Sequence, residues 1–329
     1  MAGAEAVPGG AMPWRIVVWG STGSLPAPLD QRALRRKLLA ALRAARGVPL
    51  ESDQAIEAFL DSLPFAVRST YGGNTACVEV LGGEESVILD AGSGLRNLSG
   101  ALFNRPDALP ARFHILLSHL HWDHIQGFPF FAPAFTPSST VVIYSAHEDT
   151  ERAFREQCSS PFFPISFDHL AGRVCFVQLD PGLVHHIGGF QVRMIEQDHP
   201  GRSYGYRLER GGKTLVYSTD AEHREGIERE DYPFTEFFRD ADVLIFDAQY
   251  SLVEAIYDKV DWGHASNVAG VELAARAGVK HLCLFHREHT RSDEQLDETL
   301  AQTRRYGDVF VAATGLRITL AYDGLEICP

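Results

Sequence analysis

Side chains that could bind metal ions are concentrated in one short stretch, Ser118-His119-Leu120-His121-Trp122-Asp123-His124. The residues before it, 113–117, form an almost continuous apolar run, which is typical of a buried strand. The ligand types therefore stand at the carboxyl end of a strand, where open α/β sheets place their chemistry. His119 and His121 point the same way from an extended backbone, whereas Asp123 and His124 diverge toward a second point. This spacing favours two neighbouring metal ions, and it disfavours a polar loop whose histidines only cap strand ends.

Further metal-ligand types follow other apolar strands. They are His199, Asp220 and His286. Taken singly, each is more typical of a surface or capping residue, but their shared position just after a strand favours a common site. Asp90 also ends a strand, before the glycine-rich Asp90-Ala-Gly-Ser-Gly turn. Its carboxylate could orient a ligand histidine by accepting a hydrogen bond from the ring nitrogen that does not bind metal. It could equally anchor the turn.

Composition limits the classes of function. The 329 residues carry 30 basic and 43 acidic side chains, a net charge of −13, which disfavours a protein that holds long nucleic acid by its backbone. A small anion drawn to a local metal centre remains compatible with this charge. No run of about 18 apolar residues predicts a bilayer span. Five scattered cysteines and a start without signal-peptide features predict a cytoplasmic protein.

Residues 30–64 (the insert) predict a helical hairpin between two strands. Asp30 can cap a first helix with leucines every four residues, and Ser52 can cap a second. Their apolar faces are Leu34, Leu38 and Leu42 on the first helix and Ile56, Phe59, Leu60 and Leu63 on the second. We expect these faces to be buried across the pocket mouth or in a homodimer. The first helix is basic, which indicates a solvated face or an RNA contact.

The rest of the pattern predicts antiparallel hairpins followed by alternating helices and strands. Strands are predicted at 14–20, 76–81, 86–90, 113–117, 141–145, 174–179, 191–196, 203–209, 214–218, 243–247, 282–285, 309–312 and 317–322. Helices are predicted at 148–157, 266–277 and 292–307, the last of them ending at Gly307. We expect a disordered tail at 1–12 and a single domain at 13–329.

The order of motifs resembles a known family. It runs H-x-H-x-D-H, then His199, then Ser-Thr-Asp at 218–220, Gly-His-Ala-Ser at 263–266 and Leu-Phe-His at 284–286. This order is similar to the phosphodiesterase branch of the metallo-β-lactamase-fold hydrolases, which includes ribonuclease Z-like and bacterial cyclic-nucleotide-phosphodiesterase-like members. The resemblance covers about 14–322, with the insert as its main departure. It implies an α/β (α+β) fold, a four-layer αββα sandwich carrying a helical-hairpin insert near the N-terminus.

The resemblance also implies roles for individual residues. One metal ion would be held by His119, His121 and His199, the other by Asp123, His124 and His286, with Asp220 bridging them and Asp90 supporting them from behind. Asp247 and His264 match the family's acid–histidine dyad, so they are catalytic candidates together with Asp123, and His264 would also contact substrate. Asp247 stands where ribonuclease Z has glutamate. The form Asp-Ala-Gln-Tyr at 247–250 looks more like the cyclic-nucleotide-phosphodiesterase-like members.

The implied function is a dinuclear metal-dependent hydrolase. It would cleave a small phosphodiester such as a 3′,5′-cyclic nucleotide with a metal-activated hydroxide. Zn²⁺ suits the ligand set best, and Mn²⁺ or iron would also fit. The alternatives are a tRNA 3′-processing endoribonuclease and a hydrolase of a non-phosphate ester or lactone. A metal-bearing sensor without activity is disfavoured because every ligand position is filled. The expected partners are a small anionic phosphodiester and a second copy of the chain.

Overall fold

The computed structural model describes residues 14–83, 85–104, 110–170, 172–224 and 226–329. The predicted tail at 1–12 lies outside these residues, and the single-domain assignment stays a prediction. The described strands are β1 (Arg15–Gly20), β2 (Cys77–Leu81), β3 (Ser86–Leu89), β4 (Arg112–Leu116), β5 (Thr140–Ser145), β6 (Arg173–Gln178), β7 (His185–Ile187), β8 (Phe190–Gln197), β9 (Ser203–Arg210), β10 (Lys213–Ser218), β11 (Val243–Asp247), β12 (His281–Phe285), β13 (Arg317–Leu320) and β14 (Glu326–Ile327).

Within the described residues the strands form two seven-stranded mixed sheets. The first has the order β14-β1-β2-β3-β4-β5-β6 and the second β13-β12-β11-β10-β9-β8-β7. Strands β3 to β6 are parallel, as are β10 to β13, whereas β1–β2 and β8–β9 are antiparallel. The carboxyl ends of the parallel strands therefore lie along one edge of each sheet.

The described residues form nine α-helices, some of which pack on the outer faces of the two sheets. They are α1 (Gln31–Ala44), α2 (Asp53–Ser62), α3 (Phe65–Arg68), α4 (Gly94–Leu102), α5 (Trp122–Ile125), α6 (Thr150–Gln157), α7 (Pro233–Phe238), α8 (Asn267–Arg276) and α9 (Asp293–Thr314). Leu95 and Leu98 of α4 pack on the first sheet, and Val271 and Leu273 of α8 pack on the second. A third apolar cluster, which includes Tyr206, fills the space between the sheets. The predicted four-layer αββα sandwich is confirmed.

The insert (residues 30–64) forms the two predicted helices, α1 and α2, and their arrangement as a hairpin stays a prediction. Asp30 Oδ1 accepts the Ala33 N–H at 2.7 Å, and Ser52 Oγ accepts the Ala55 N–H at 3.2 Å, so both predicted caps are present. The expected burial of its apolar faces does not occur within the chain. The face of α1 that turns inward carries Lys37, and the leucine face turns to solvent.

The predicted strand at 309–312 is wrong, and so is the end of the last helix at Gly307. Helix α9 continues through both positions to Thr314. The glycine is needed for packing, because a Cβ at Gly307 would lie 2.4 Å from Ile318 Cδ1 of β13. Gly307 therefore allows the close approach of α9 to the sheet and does not terminate the helix. Within the described residues, no helix is both long and apolar enough to cross a bilayer.

Candidate metal centre

The structure brings the seven predicted ligands together at the carboxyl ends of strands from both sheets. His119 lies just after β4, and α5 then supplies Asp123 and His124; His199 follows β8, Asp220 follows β10 and His286 follows β12. All are buried except His121, which is exposed. Asp220 and His286 have φ values of +52° and +55°, which are rare for residues other than glycine. Such backbone strain collects at functional sites and is offset by the surrounding structure.

The first group of donors consists of three histidines. His121 Nδ1 lies 3.0 Å from His199 Nε2, and His119 Nε2 is buried without a hydrogen-bond partner among the described residues. Asp220 Oδ2 approaches the Nε2 atoms of His119 and His199 at 3.8 and 3.9 Å. Two imidazole nitrogens that face each other across 3.0 Å repel unless a proton or a cation lies near both. An orphaned buried nitrogen beside them indicates a missing cation.

The second group of donors is more regular. His286 Nε2 lies 3.3 Å from both His124 Nε2 and Asp123 Oδ2, and His124 Nε2 lies 3.4 Å from Asp123 Oδ2. Asp220 Oδ1 completes the group at 3.3 Å from His124 Nε2 and 3.4 Å from His286 Nε2. Zinc–ligand distances of 2.0–2.2 Å in a tetrahedron place neighbouring donors about 3.3 Å apart. These separations match that geometry.

Asp220 belongs to both groups. Its Oδ1 faces the second group and its Oδ2 faces the first, so one carboxylate presents an oxygen to each. The ligand-type side chains that lie within reach of a shared ion include the sets His119–His121–His199, Asp123–His124–His286 and His119–His124–Asp220. The residues therefore fit two divalent cations with Asp220 placed between them, and their role as ligands stays a prediction.

Electrostatics within the centre favour cations. Burial lowers the pKa of His119 well below the ordinary value, with further repulsion from His124, and burial also lowers the pKa of His121 and His199. These three rings are thus neutral, the form that binds metal. Burial would lower the pKa of His124 too, but the neighbouring carboxylates, Asp220 foremost, raise it well above the ordinary value. The same negative charge would stabilise a bound dication.

Four of the ligand histidines are fixed through the ring nitrogen that faces away from the centre. Their partners are the Asp90 carboxylate for His124 at 2.8 Å, the Gln249 amide oxygen for His286 at 3.0 Å, the Gly263 carbonyl for His199 at 2.8 Å and the Ser118 hydroxyl for His119 at 3.0 Å. Such partners set the tautomer and ring orientation of a ligand histidine. The sequence predicts this role only for Asp90.

Asp90 is the centre of a small network behind the ligands. It accepts hydrogen bonds from the Ser118 N–H at 2.7 Å, the Ser118 hydroxyl at 2.8 Å and the Tyr217 hydroxyl at 2.7 Å. The supporting roles of Ser118, Tyr217 and Gln249 are missed by the sequence analysis. Ser118 directly precedes His119, and Gln249 lies two residues after Asp247. Their closeness in sequence to predicted site residues could have indicated these supporting roles.

Asp247 and His264 form the predicted dyad. His264 Nδ1 donates to Asp247 Oδ2 at 2.8 Å, and the ring stacks on His286 with centroids 5.0 Å apart. Burial lowers the pKa of His264, but Asp247, through charge and the hydrogen bond, raises it to about 9, with help from Asp220 and Asp123. A charged imidazole with its Nδ1 proton held by Asp247 keeps its other proton on Nε2.

A cavity of about 430 Å³ opens beside the first group of donors. His119 and His121 line one side, and Arg202 is an exposed cation on the wall. The Arg202 N–H donates to the His199 carbonyl at 2.8 Å, which ties this residue to a ligand. Glu148 and Asp149 also line the cavity, so its wall carries charges of both signs next to the candidate ligand histidines.

Comparison with known families agrees with this geometry. Residues 85–287, more than half of the chain, match the family model described as a beta-lactamase superfamily domain. The chain belongs to the β-lactamase superfamily. All seven candidate ligands and Asp247 and His264 lie within the matched superfamily region, which the insert precedes.

Individual relatives within the superfamily are distant. An uncharacterized protein of Mycobacterium leprae is 27% identical over 203 residues, 61% of this chain, and the chain spans 66% of its length. A ribonuclease Z of Geobacillus kaustophilus is 25% identical over 236 residues, covering 58% of this chain and 75% of its own. The metallo-β-lactamase-fold protein YhfI of Bacillus subtilis is 19% identical, with a TM-score of 0.62 over 96% of this chain and 98% of its own. The predicted resemblance to ribonuclease Z-like members of the fold is confirmed.

Proposed function

We propose that the protein is a hydrolase with two divalent metal ions that cleaves a small phosphodiester, such as a 3′,5′-cyclic nucleotide. The observation that carries this proposal is the Asp247–His264 dyad at 2.8 Å, whose imidazole lies within 5.1 Å of the His199 ring and 5.0 Å of the His286 ring. A proton donor therefore faces both groups of metal ligands. Mixed imidazole and carboxylate donors favour Zn²⁺, and Mn²⁺ or iron would also fit.

Each polar group has a role in this reaction. When bound, the two cations lower the pKa of a shared water toward about 7 and neutralise charge on the phosphoryl oxygens. His264 contacts the substrate and gives the proton on its Nε2 to the leaving oxygen. Nearby dications would lower the pKa of His264, and the Asp247 carboxylate opposes that loss of the proton. Asp123, whose carboxylate also accepts the Ser24 N–H at 2.8 Å, acts as a ligand on the His286 side.

The cavity supports a small anionic substrate. Its volume of about 430 Å³ lies in the range of about 300–1,000 Å³ that small-molecule sites occupy. Arg202 lines this cavity together with Glu148 and Asp149, so the attraction of a phosphodiester would come mainly from divalent cations bound at the adjacent centre. We propose a small phosphodiester as the substrate and a second copy of the chain as the protein partner.

A tRNA 3′-processing endoribonuclease is the second candidate. Two observations favour it: the Geobacillus relative is a ribonuclease Z, and arginines of α1 are exposed. The net charge of −13 argues against it, because binding to structured RNA depends on phosphate contacts with basic surfaces. Hydrolysis of a non-phosphate ester or lactone rests on the fold alone, which does not fix the chemistry.

A substrate panel tests the proposal. Purified protein is incubated with cyclic AMP, cyclic GMP, cyclic dinucleotides, a precursor tRNA and a model lactone, with and without added zinc. We expect metal-dependent turnover of a cyclic nucleotide and little cleavage of precursor tRNA. Faster turnover of precursor tRNA that falls steeply with salt would replace the first function by the second. Turnover of the lactone alone would overturn both.

A further inference from the structure

An ordinary surface helix buries its apolar residues and exposes its charged ones, and helix α1 of the insert shows the reverse arrangement. Its one buried residue is Lys37, whose ammonium lies 2.6 Å from Asp293 Oδ2 of α9 and 2.8 Å from the Ser69 carbonyl. Its leucines face outward, and the exposed fractions are 48% for Leu34, 56% for Leu38, 40% for Leu39 and 68% for Leu42. A helix that buries a lysine and exposes four leucines presents an apolar surface to something outside the chain.

Helix α2 also carries apolar residues that the chain leaves exposed, to a smaller extent than α1. None of its ten residues is buried, although Ile56 and Leu60 are one turn apart on an apolar face and are 39% and 37% exposed. A helix of ten residues is marginal in water unless it packs against another element. Its N-terminal cap, Ser52, contributes only about 1 kcal/mol. Burial of this face against a partner would supply the missing stabilisation.

The two helices carry opposite charge. The span of α1 contains five basic and no acidic residues: Arg32, Arg35, Arg36, Lys37 and Arg43. The span of α2 contains three acidic and no basic residues: Asp53, Glu57 and Asp61. No ion pair joins the two helices within the described residues 31–62. Lys37 is paired with Asp293, and Asp61 lies 3.5 Å from Arg68. The other charged side chains of the two helices are exposed and can face a partner that carries the same two helices.

We propose that the insert is a dimer interface in which α1 of one copy packs on α2 of a second copy, and the reverse. A two-fold axis generates both contacts from one surface. This pairing covers both apolar faces and places basic α1 against acidic α2. Pairing of α1 with the second α1 would instead oppose like charges, which destabilises an interface. The inference depends on the insert alone, so failure of the proposed catalytic function would leave it intact.

The first experiment measures the mass of the full-length protein by sedimentation over a dilution series, for the wild type and for Leu38→Glu. We expect a wild-type dimer, and a dissociation constant at least about tenfold higher for the variant, because a leucine loses its apolar contact. Leu183→Glu is the matched control, since Leu183 is 57% exposed and lies outside the insert. It should leave the mass unchanged. A monomeric wild type, or a Leu38→Glu variant that dimerises as tightly as wild type, overturns the proposal.

The second experiment tests the pairing of the helices by charge reversal. Arg35→Glu with Arg43→Glu reverses two of the charges of α1, and Glu57→Arg with Asp61→Arg reverses two of the charges of α2. Each pair of changes alone should weaken the dimer about tenfold or more, and all four together should restore it. All four positions are exposed, so a folded monomer is expected in every case. Failure of the fourfold variant to regain the dimer would contradict α1-on-α2 pairing.

Discussion

The metal centre and the insert violate the usual distribution of polarity in opposite directions. At the centre, charged and polar side chains such as Asp220, His119 and His124 are almost fully buried. On the insert, leucines such as Leu38 and Leu42 are more than half exposed. Buried charge is costly without compensation, and large exposed apolar faces are uncommon on monomers. Divalent cations at the centre and a second copy at the insert would supply this compensation, as we propose.

The two regions differ in how they are supported. Every buried ligand histidine at the centre has its outer nitrogen bonded to a neighbouring group. Helix α1 is held through the buried ion pair of Lys37 with Asp293, the contacts of Lys37 with two carbonyls and its packing against α3. The comparison predicts that changes at the centre affect metal binding and turnover, whereas changes in the insert affect stability and assembly.

The largest expected effect follows from removal of the bridging charge. Asp220→Asn should leave less than two metal ions bound and lower turnover by on the order of 10³-fold or more, because one neutral amide cannot compensate two dications. Asp240→Asn is the matched control, since Asp240 shares the φ of +52° but lies outside the centre. Elemental analysis and steady-state kinetics measure both. If Asp220→Asn bound as many metal ions as the wild type, Asp220 would not be a bridging ligand.

The dyad separates chemistry from metal binding. His264→Ala should retain both metal ions and lose about 10²–10⁴ in turnover, because only the proton donor is removed. Asp247→Asn should lose less. With bis(p-nitrophenyl) phosphate the loss should shrink, since that leaving group needs little protonation. Equal losses on substrates with good and poor leaving groups would show that His264 is not the acid.

The buried ion pair tests the support of the insert. Lys37→Met should destabilise folding by about 3 kcal/mol, because the Asp293 carboxylate stays buried without its partner. Arg36→Met on the same helix is exposed and should change stability by no more than about 0.5 kcal/mol. Urea unfolding measures both, with metal content per folded molecule unchanged. Equal effects of the two changes would mean that Lys37 does not anchor the insert.

The smallest expected effect follows from a substitution at Gly263, which contacts the candidate ligand His199. In Gly263→Ala the new Cβ would lie 2.3 Å from His199 Nδ1, so the ring must move and metal affinity should fall about 10- to 100-fold. Gly211→Ala controls for backbone strain, because Gly211 also has a positive φ, +57°, but meets no atom within 4 Å. Zinc titration against a competing chelator compares the two. An equal loss in both variants would indicate strain alone.

Local sequence signals predict parts of both regions, namely the helix caps of the insert and the ligand-type residues that follow strands. The caps Asp30 and Ser52 mark the starts of the insert helices because their side chains bond the first turn. The ligands are predictable because strands converge at one edge, so that residues such as His199 and Asp220 meet although they are distant from His119 in sequence. The family resemblance then assigns them to two groups.

Tertiary packing determines what the sequence does not predict. Gly307 is a residue type that often ends a helix, but here the absence of a side chain lets α9 pack closely against Ile318. No local sequence pattern predicts this contact. Tyr217 supports Asp90 across 127 positions, and a buried tyrosine in a strand is ordinarily part of the core. The exposure of Leu38 is equally unpredictable, because periodicity shows that a face is apolar and not which element covers it.

The number of divalent ions bound per chain distinguishes a dinuclear centre from a mononuclear one. Protein purified without chelator, and again after reloading with excess zinc and removal of free metal, is analysed for divalent ions per chain. The seven donor residues form two groups, and Asp220 presents one carboxylate oxygen to each group, so we expect two metal ions per chain. Asp220→Asn should hold fewer. A firm single equivalent in the reloaded wild-type protein would contradict the account.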